Sequence, residues 1–151
     1  MAATIPATLP ASAAAPEDAG PAGRECYELR LYRLKRGPMV GRFDDFHREI
    51  ALPAWSRAGI GTVGVFDVLL GPDQPAKYVL LSAGSPGALL AARERFEADP
   101  AVAGAAFTSL PATDPGYVRK ECRWLRAFHT LPRLELPALS RERRPRIFEL
   151  R

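Results

Sequence analysis

A chain of 151 residues has room for one domain and little more, and 47% hydrophobic with 25% charged residues places it near the globular average, so most of it has the material for a core. The formal charge is +4 and the pI near 9.4, yet between residues 26 and 128 the basic side chains are interleaved with Asp and Glu. The one dense run, "RERRPR" at 141–146, sits in a proline-bearing linker, which argues against a nucleic-acid-binding stripe. No stretch reaches the roughly eighteen apolar residues that span a bilayer, so no membrane segment is expected.

The first segment, 1–24, is rich in Ala and Pro and is expected to be disordered. It lacks the charged start and uninterrupted apolar stretch of a working signal peptide, although "PASAAAP" has the small residues found at the end of one. A cytoplasmic location is the expectation as written; export to the periplasm follows if the segment is the stub of a signal.

From Cys26 to Leu34 the alternation of Tyr27, Leu29 and Leu31 with Glu28, Arg30 and Tyr32 is the period of a strand with two different faces. "KRGPM" then breaks the strand and offers a proline for the first turn of a helix. Met39, Phe43, Phe46 and Ile50 recur at helical spacing, with Arg42, Asp44, Asp45, Arg48 and Glu49 on the other side. Pro53 should kink or end this helix, because it cannot donate to the carbonyl four residues back; "RAGIG" ends it in any case. "TVGVFDVLLG", the turn "GPDQPA" and "KYVLLSA" predict a hairpin of two strands. Ser85 and Pro86 form an N-cap and first-turn pair for a second helix carrying Leu89, Leu90 and Phe96. A short helical or irregular piece follows Asp99 and Pro100, then the loop "PATDPG", and residues 117–128 give a last strand.

The order is βαββαβ, closed by residue 128. With right-handed crossovers it favours an α+β, ferredoxin-like module: a four-stranded antiparallel sheet with both helices on one face. The module is expected over 25–128, followed by a linker and a strand over 129–151. That last part ends in "RIFELR", an echo of "YELRLYRL" in which Glu28, Leu29 and Arg30 recur as Glu149, Leu150 and Arg151 behind an aromatic residue. Because the unit between the two strings is complete, the second reads as the first strand of another module that the chain lacks.

Taken in order, "YELRLYRLKRGPM", "LPAWSRAGIGTVGVFDVLLGP", "YVLLSA" and "ATDPGYVRKE" resemble the NIPSNAP family of the dimeric α+β barrel group, and "PRIFELR" is similar to the start of the second module in bacterial members that have two. The resemblance implies two ferredoxin-like sheets packed face to face. A chain with one module would then form a homodimer or recruit a second NIPSNAP-like module, since a large apolar face in water is an aggregation liability.

If the helices take the face bearing Tyr27, Leu29 and Leu31, then Glu28, Arg30 and Tyr32 point into the barrel, where a ligand belongs. Arg30 is the candidate for steering a small, partly apolar, anionic ligand, since a guanidinium grips a carboxylate or phosphate with two prongs. A cross-strand ion pair between Glu28 and Arg30 is the competing structural role. Tyr32, Trp55, Phe66 and Tyr78 are candidate cavity walls or ring platforms, with Trp124 as core or wall. His47 is a candidate proton carrier, with Glu28 beside it, against the plainer role of a histidine covering the apolar stripe.

Asp44 and Asp45, about 100° apart on a helix, cannot share one substrate and are expected to be solvated. Cys26 and Cys122 both fall in predicted strands and are expected to be buried thiols, or bonded if their geometry allows. With two histidines and no CxxC, neither a metal site nor a redox motif is supported. No cofactor is expected, for no phosphate loop, nucleophile elbow or HExxH occurs. Three functions remain: a ligand-binding or assembly module, a cofactor-independent monooxygenase, isomerase or cyclase on polyketide-like or aromatic substrates, and a protein-interaction module using the C-terminal strand. The enzymatic one, with Arg30 holding an oxyanion, His47 or Glu28 moving the proton, and Tyr32 and Trp55 orienting a ring, rests on fold-level analogy.

Overall fold

The computed structural model describes residues 23–135. Strands β1 (Cys26–Arg33), β2 (Thr62–Asp67), β3 (Ala76–Ala83) and β4 (Arg119–Arg126) alternate with helices α1 (Pro38–Phe46), α2 (Leu52–Arg57), α3 (Pro86–Glu97) and α4 (Pro100–Ala103). The sheet order is β2-β3-β1-β4 with every neighbouring pair antiparallel, which is the α+β, ferredoxin-like arrangement. β1 lies at the centre because each βαβ crossover steps over one strand and leaves a gap that the other fills.

α1 and α2 do not stop at Pro53. A π-helical segment, His47–Ala51, joins them, and the Leu52 N–H bonds the His47 carbonyl rather than the one after it. Pro53 brings no N–H and its ring would press on the Glu49 carbonyl; a widened turn just before it lets the helical path continue. The kink or stop expected there is therefore replaced by a turn of different pitch. Gly59, at φ 91°, ends α2 in the left-handed conformation that only glycine takes cheaply. The Ile60 N–H then returns to the Trp55 carbonyl at 3.0 Å and buries the Ile60 side chain, in a Schellman-type close.

The helical stripe packs as its spacing predicts: Met39, Phe43 and Phe46 are buried under α1. Phe43 is fully buried and contributes about 1.5–3 kcal/mol by leaving water. The Ser85 hydroxyl caps α3 by accepting from the Ala88 N–H at 3.1 Å. On α3, Leu89 is buried but Leu90 is half exposed, so the apolar stripe is narrower than the sequence suggests. β2 stops at Asp67, leaving Leu69 and Leu70 exposed in the turn. The core lies between the sheet and α1, α2 and α3, with Val79 and Leu81 of β3 facing Trp55, Phe43 and Leu89.

Cys26 is buried and Cys122 is exposed, and both thiols are free. The expected burial therefore holds for Cys26 alone. Register explains the absence of a bond, since Cys26 lies opposite Arg126 and Cys122 opposite Arg30. The strand expected at "RIFELR" and the segment 1–22 fall outside the described residues.

Candidate functional site

Cross-strand partners share a face in an antiparallel sheet, so the register divides the sheet into two surfaces. Cys26, Glu28, Arg30 and Tyr32 of β1 join Lys77, Val79 and Leu81 of β3. This face lies under the helices: Tyr32 meets Phe43 of α1 edge-on at 5.1 Å, and the Arg30 guanidinium lies 4.9 Å from the Trp55 ring of α2. The expectation that Glu28, Arg30 and Tyr32 point away from the helices is thus corrected. β1 is apolar on both sides, for Cys26 and Tyr32 are buried on the helix side just as Leu31 is on the other. Counting apolar residues could not decide between the faces.

What allows two charged groups under the helices is their mutual satisfaction. Arg30 donates from Nε to Glu28 Oε1 at 2.8 Å and from Nη2 to Oε2 at 3.1 Å, in the two-pronged geometry of guanidinium and carboxylate. Glu28 is 1% and Arg30 6% exposed. Burial by itself pushes the Glu28 carboxyl up, but the Arg30 hydrogen bonds and charge outweigh it and hold the group below its usual range. Burial opposes the charge on Arg30 in the same way and Glu28 restores it, so the guanidinium stays charged. Trp55, stacked on Phe96 of α3 at 3.8 Å, closes the pair against the helix layer.

His47 opens the π-helical segment. Its Nδ1 is 2.9 Å from the Phe43 carbonyl, and its ring stacks on Phe43 at 3.9 Å and meets Phe46 edge-on. Burial, with the positive charge of Arg30 nearby, pulls its pKa down to about 4, against the pull of the Phe43 carbonyl. At neutral pH it is an uncharged ring within an aromatic cluster that also takes in Phe107, stacked on Phe46, and Tyr117, edge-on to Tyr32. Asp44 is not simply solvated: with Asp67 it flanks the buried Lys77 ammonium, tying α1 to β2 and β3. Asp45 pairs with Arg48 at the surface.

The opposite face carries Tyr27, Leu29, Leu31 and Arg33 of β1, with Ala76, Tyr78, Leu80 and Ser82 of β3 beside them. Beyond these lie Phe66, Gly64 and Thr62 of β2, and on the other flank Arg119, Glu121, Arg123 and Leu125 of β4. No described helix covers this face. The Phe66 ring is folded back along its own strand: a Cβ on Gly64 would meet it at 2.6 Å. Glycine at that position is what lets the ring lie down on the sheet. Of the candidate walls, then, Phe66 and Tyr78 are cross-strand neighbours on the open face, whereas Arg30, Tyr32 and Trp55 gather with Glu28 and His47 under the helices. Trp124 is neither core nor enclosed wall, being 45% exposed on β4. No cluster of three or more metal-ligating side chains occurs among the described residues, and no helix among them is long and apolar enough to cross a membrane.

The family model for NIPSNAP matches residues 27–132, which takes in the helices and all of the sheet except its first residue, Cys26. The chain belongs to the NIPSNAP family. Among solved structures it is similar to two NIPSNAP family proteins of Agrobacterium tumefaciens. One, whose function is unknown, has 20% identity and a TM-score of 0.57, over 70% of this chain and 90% of that one. The other has 18% identity and a TM-score of 0.61, over 73% and 91%. A NIPSNAP domain protein of Burkholderia xenovorans aligns at 18% identity and a TM-score of 0.57, over 72% and 99%. These likenesses bear on the fold. No curated protein matches the chain.

In this NIPSNAP module the open face also holds charges that sequence reasoning passed over. Glu121 forms ion pairs with Arg33 and Arg119 at one oxygen, at 3.1 and 3.2 Å, and accepts a hydrogen bond from Arg123 at the other, at 3.1 Å. The signal was present in "RKECRWLR", whose odd-numbered positions are Arg119, Glu121, Arg123 and Leu125. Alternation groups these residues on one face, but only the register with β1 places that face beside Leu29 and Leu31.

Proposed function

We propose that this NIPSNAP module acts by binding and assembly: its open sheet face is closed by a second copy of the chain, or by a second NIPSNAP-like module, and a small, partly apolar, anionic molecule lies in the chamber so formed. The observation that carries this is the band of Leu29, Leu31, Phe66, Tyr78 and Leu80 across three strands, on the face opposite the helices. An apolar band of this extent with no described helix over it, half-buried apart from the buried Leu31 and flanked by charged side chains, has the composition of an interaction or ligand surface rather than of an ordinary solvated one. The catalytic alternative gains no support from the geometry of Arg30, Glu28 and His47: the Arg30 fork is closed on Glu28, and His47 Nδ1 lies against the Phe43 carbonyl.

Native mass spectrometry of the purified protein tests both parts together, first under gentle conditions and then after ligands are stripped. The expected result is a dimer with a reproducible added mass. A bare monomer would overturn the homodimer and point to a separate second module as partner.

A second reading has one observation in its favour: β4 lies at the sheet edge and pairs only with β1 among the described strands, so its outer side is available to an added strand. Deleting residues 146–151 tests whether the C-terminal segment is used in such strand addition with a partner. Loss of the dimer or of partner binding supports it, and unchanged assembly rejects it.

A further inference from the structure

The open face is not uniformly apolar. It is divided along the strands: leucines and aromatic rings on β1, β3 and β2, and arginines on β4 with Arg33 of β1. Resting on the proposal that this face is a ligand wall, we infer that Arg119 and Arg123 form the anion-holding end of that wall and that the ligand is an amphipathic monocarboxylate lying across the strands, its apolar body over Leu29 and Leu80.

Charge and reach carry this. Arg33, Arg119 and Arg123 converge on Glu121, and Arg33 also meets Asp73 at 3.1 Å. Three guanidiniums against two carboxylates leave one positive charge over, which suits a monoanion better than a dianionic phosphate monoester. The side chains of Arg119 and Arg123 are 65% and 54% exposed, whereas that of Glu121 is 21% exposed. The carboxylate is therefore used up while the guanidiniums around it keep donors free, since each carries five N–H groups. An incoming carboxylate can take those donors as a fork without breaking into a core.

From the β4 row to Phe66 on β2 is three strand spacings, roughly 14 Å. An extended or flat apolar body spans that distance over leucine and ring surface, with no charged side chain on the face in its path. Arg30, the guanidinium that the sequence offered for this task, is excluded from it by position: it lies under the helices with its fork closed on Glu28. Within the arginine row, Glu121 competes with the ligand for the same donors. That gives the proposal an uncommon signature, in which removing an acid strengthens binding.

The test is titration calorimetry of the full chain with decanoate and with decan-1-ol, which share a tail and differ in charge. Three proteins are compared: the unaltered chain, the double variant Arg119→Gln/Arg123→Gln, and Glu121→Gln. Thermal melts and native mass spectra of each report folding and assembly. Decanoate is expected to bind about tenfold more tightly than decan-1-ol, the worth of a charge-assisted hydrogen bond. The double variant should lose that preference and keep the alcohol's affinity, and Glu121→Gln should bind decanoate more tightly still. Equal binding of the two probes by the unaltered chain, or a preference that survives in the double variant, overturns the inference and leaves the apolar wall standing. Binding of neither probe overturns the wall itself. A double variant that loses its assembly while still preferring decanoate assigns the arginines to contact between copies and overturns the inference.

Discussion

The two faces of this sheet reverse what their residues suggest. The face under the helices carries Glu28, Arg30 and Lys77, three ionisable groups that are at most 6% exposed. The face without helices carries Leu29, Leu31 and Leu80 with the rings of Phe66 and Tyr78. The first is possible because each of these three is answered within the fold: Arg30 closes on Glu28, and Lys77 lies between Asp44 and Asp67. Buried ions can be tolerated when both partners are present and hydrogen-bonded, but become costly when one is removed. On the second the charges also meet, at Glu121, but its apolar band has no described helix over it.

Breaking the covered face should have the largest effect. Arg30→Ala leaves Glu28 charged and unpaired under Trp55, and is expected to cost about 3–5 kcal/mol in urea unfolding. The double replacement Glu28→Met/Arg30→Met should recover most of that. If the single variant is instead nearly as stable as the parent, the pair is not the keystone of this face.

Next comes the pH dependence of the same layer. His47 has its pKa lowered from 6.5 to about 4 in the folded chain. Between those values the unfolded chain binds the extra proton, so stability must fall as pH drops through this window, by about 3 kcal/mol at most. Arg30, Asp44, Lys77 and the Phe43 carbonyl are the charged and polar groups acting on the ring. Glu28, whose pKa is lowered from 4.5, keeps its full contribution above that value and loses it only at lower pH. Urea midpoints at pH 6.5 and 4.5 should therefore differ in the parent and differ much less in His47→Phe. A slope of equal size in the variant would assign the acid sensitivity to the carboxylates.

On the open face, Leu80→Lys is expected to leave the module folded, because the lysine stem covers the sheet while its head reaches water. In an assembled chamber the same lysine would be a buried, unpaired charge, so assembly should weaken more than tenfold by sedimentation or native mass spectrometry. Unchanged assembly would remove this face from the interface. The smallest effect is expected from Gly64→Ala. Its new methyl pushes the Phe66 ring off the sheet, at less than about 1 kcal/mol in a thermal melt because the ring can swing outward. Its consequence should be read in the affinity for apolar ligands, and an unaltered affinity would show that the ring's resting place on the face is immaterial.

Much of this was legible without coordinates. The alternation in "CYELRLYR", the stripe of Met39, Phe43 and Phe46, the Ser85 cap and the βαββαβ order are local or nearly local signals, set by backbone sterics and by the period at which a side chain returns to the same face. Those rules act within a few residues, so the elements, their order and the ferredoxin-like arrangement follow from the chain itself.

Which face of β1 the helices cover did not follow. Both faces hold apolar residues, and the deciding term is the pairing of Glu28 with Arg30 two positions apart, beneath a tryptophan that is distant in sequence. Nor could the passage through Pro53 be read locally, because the widened turn from His47 to Ala51 is held by an aromatic cluster drawn from β1, α1 and the segment after α4. The arginine row of β4 became an edge of the open face only through its register with β1. Strand alternation fixes which side chains stand together; the tertiary structure alone decides whether that side is turned toward the helices or away from them, because that choice is a sum over contacts that no short stretch contains.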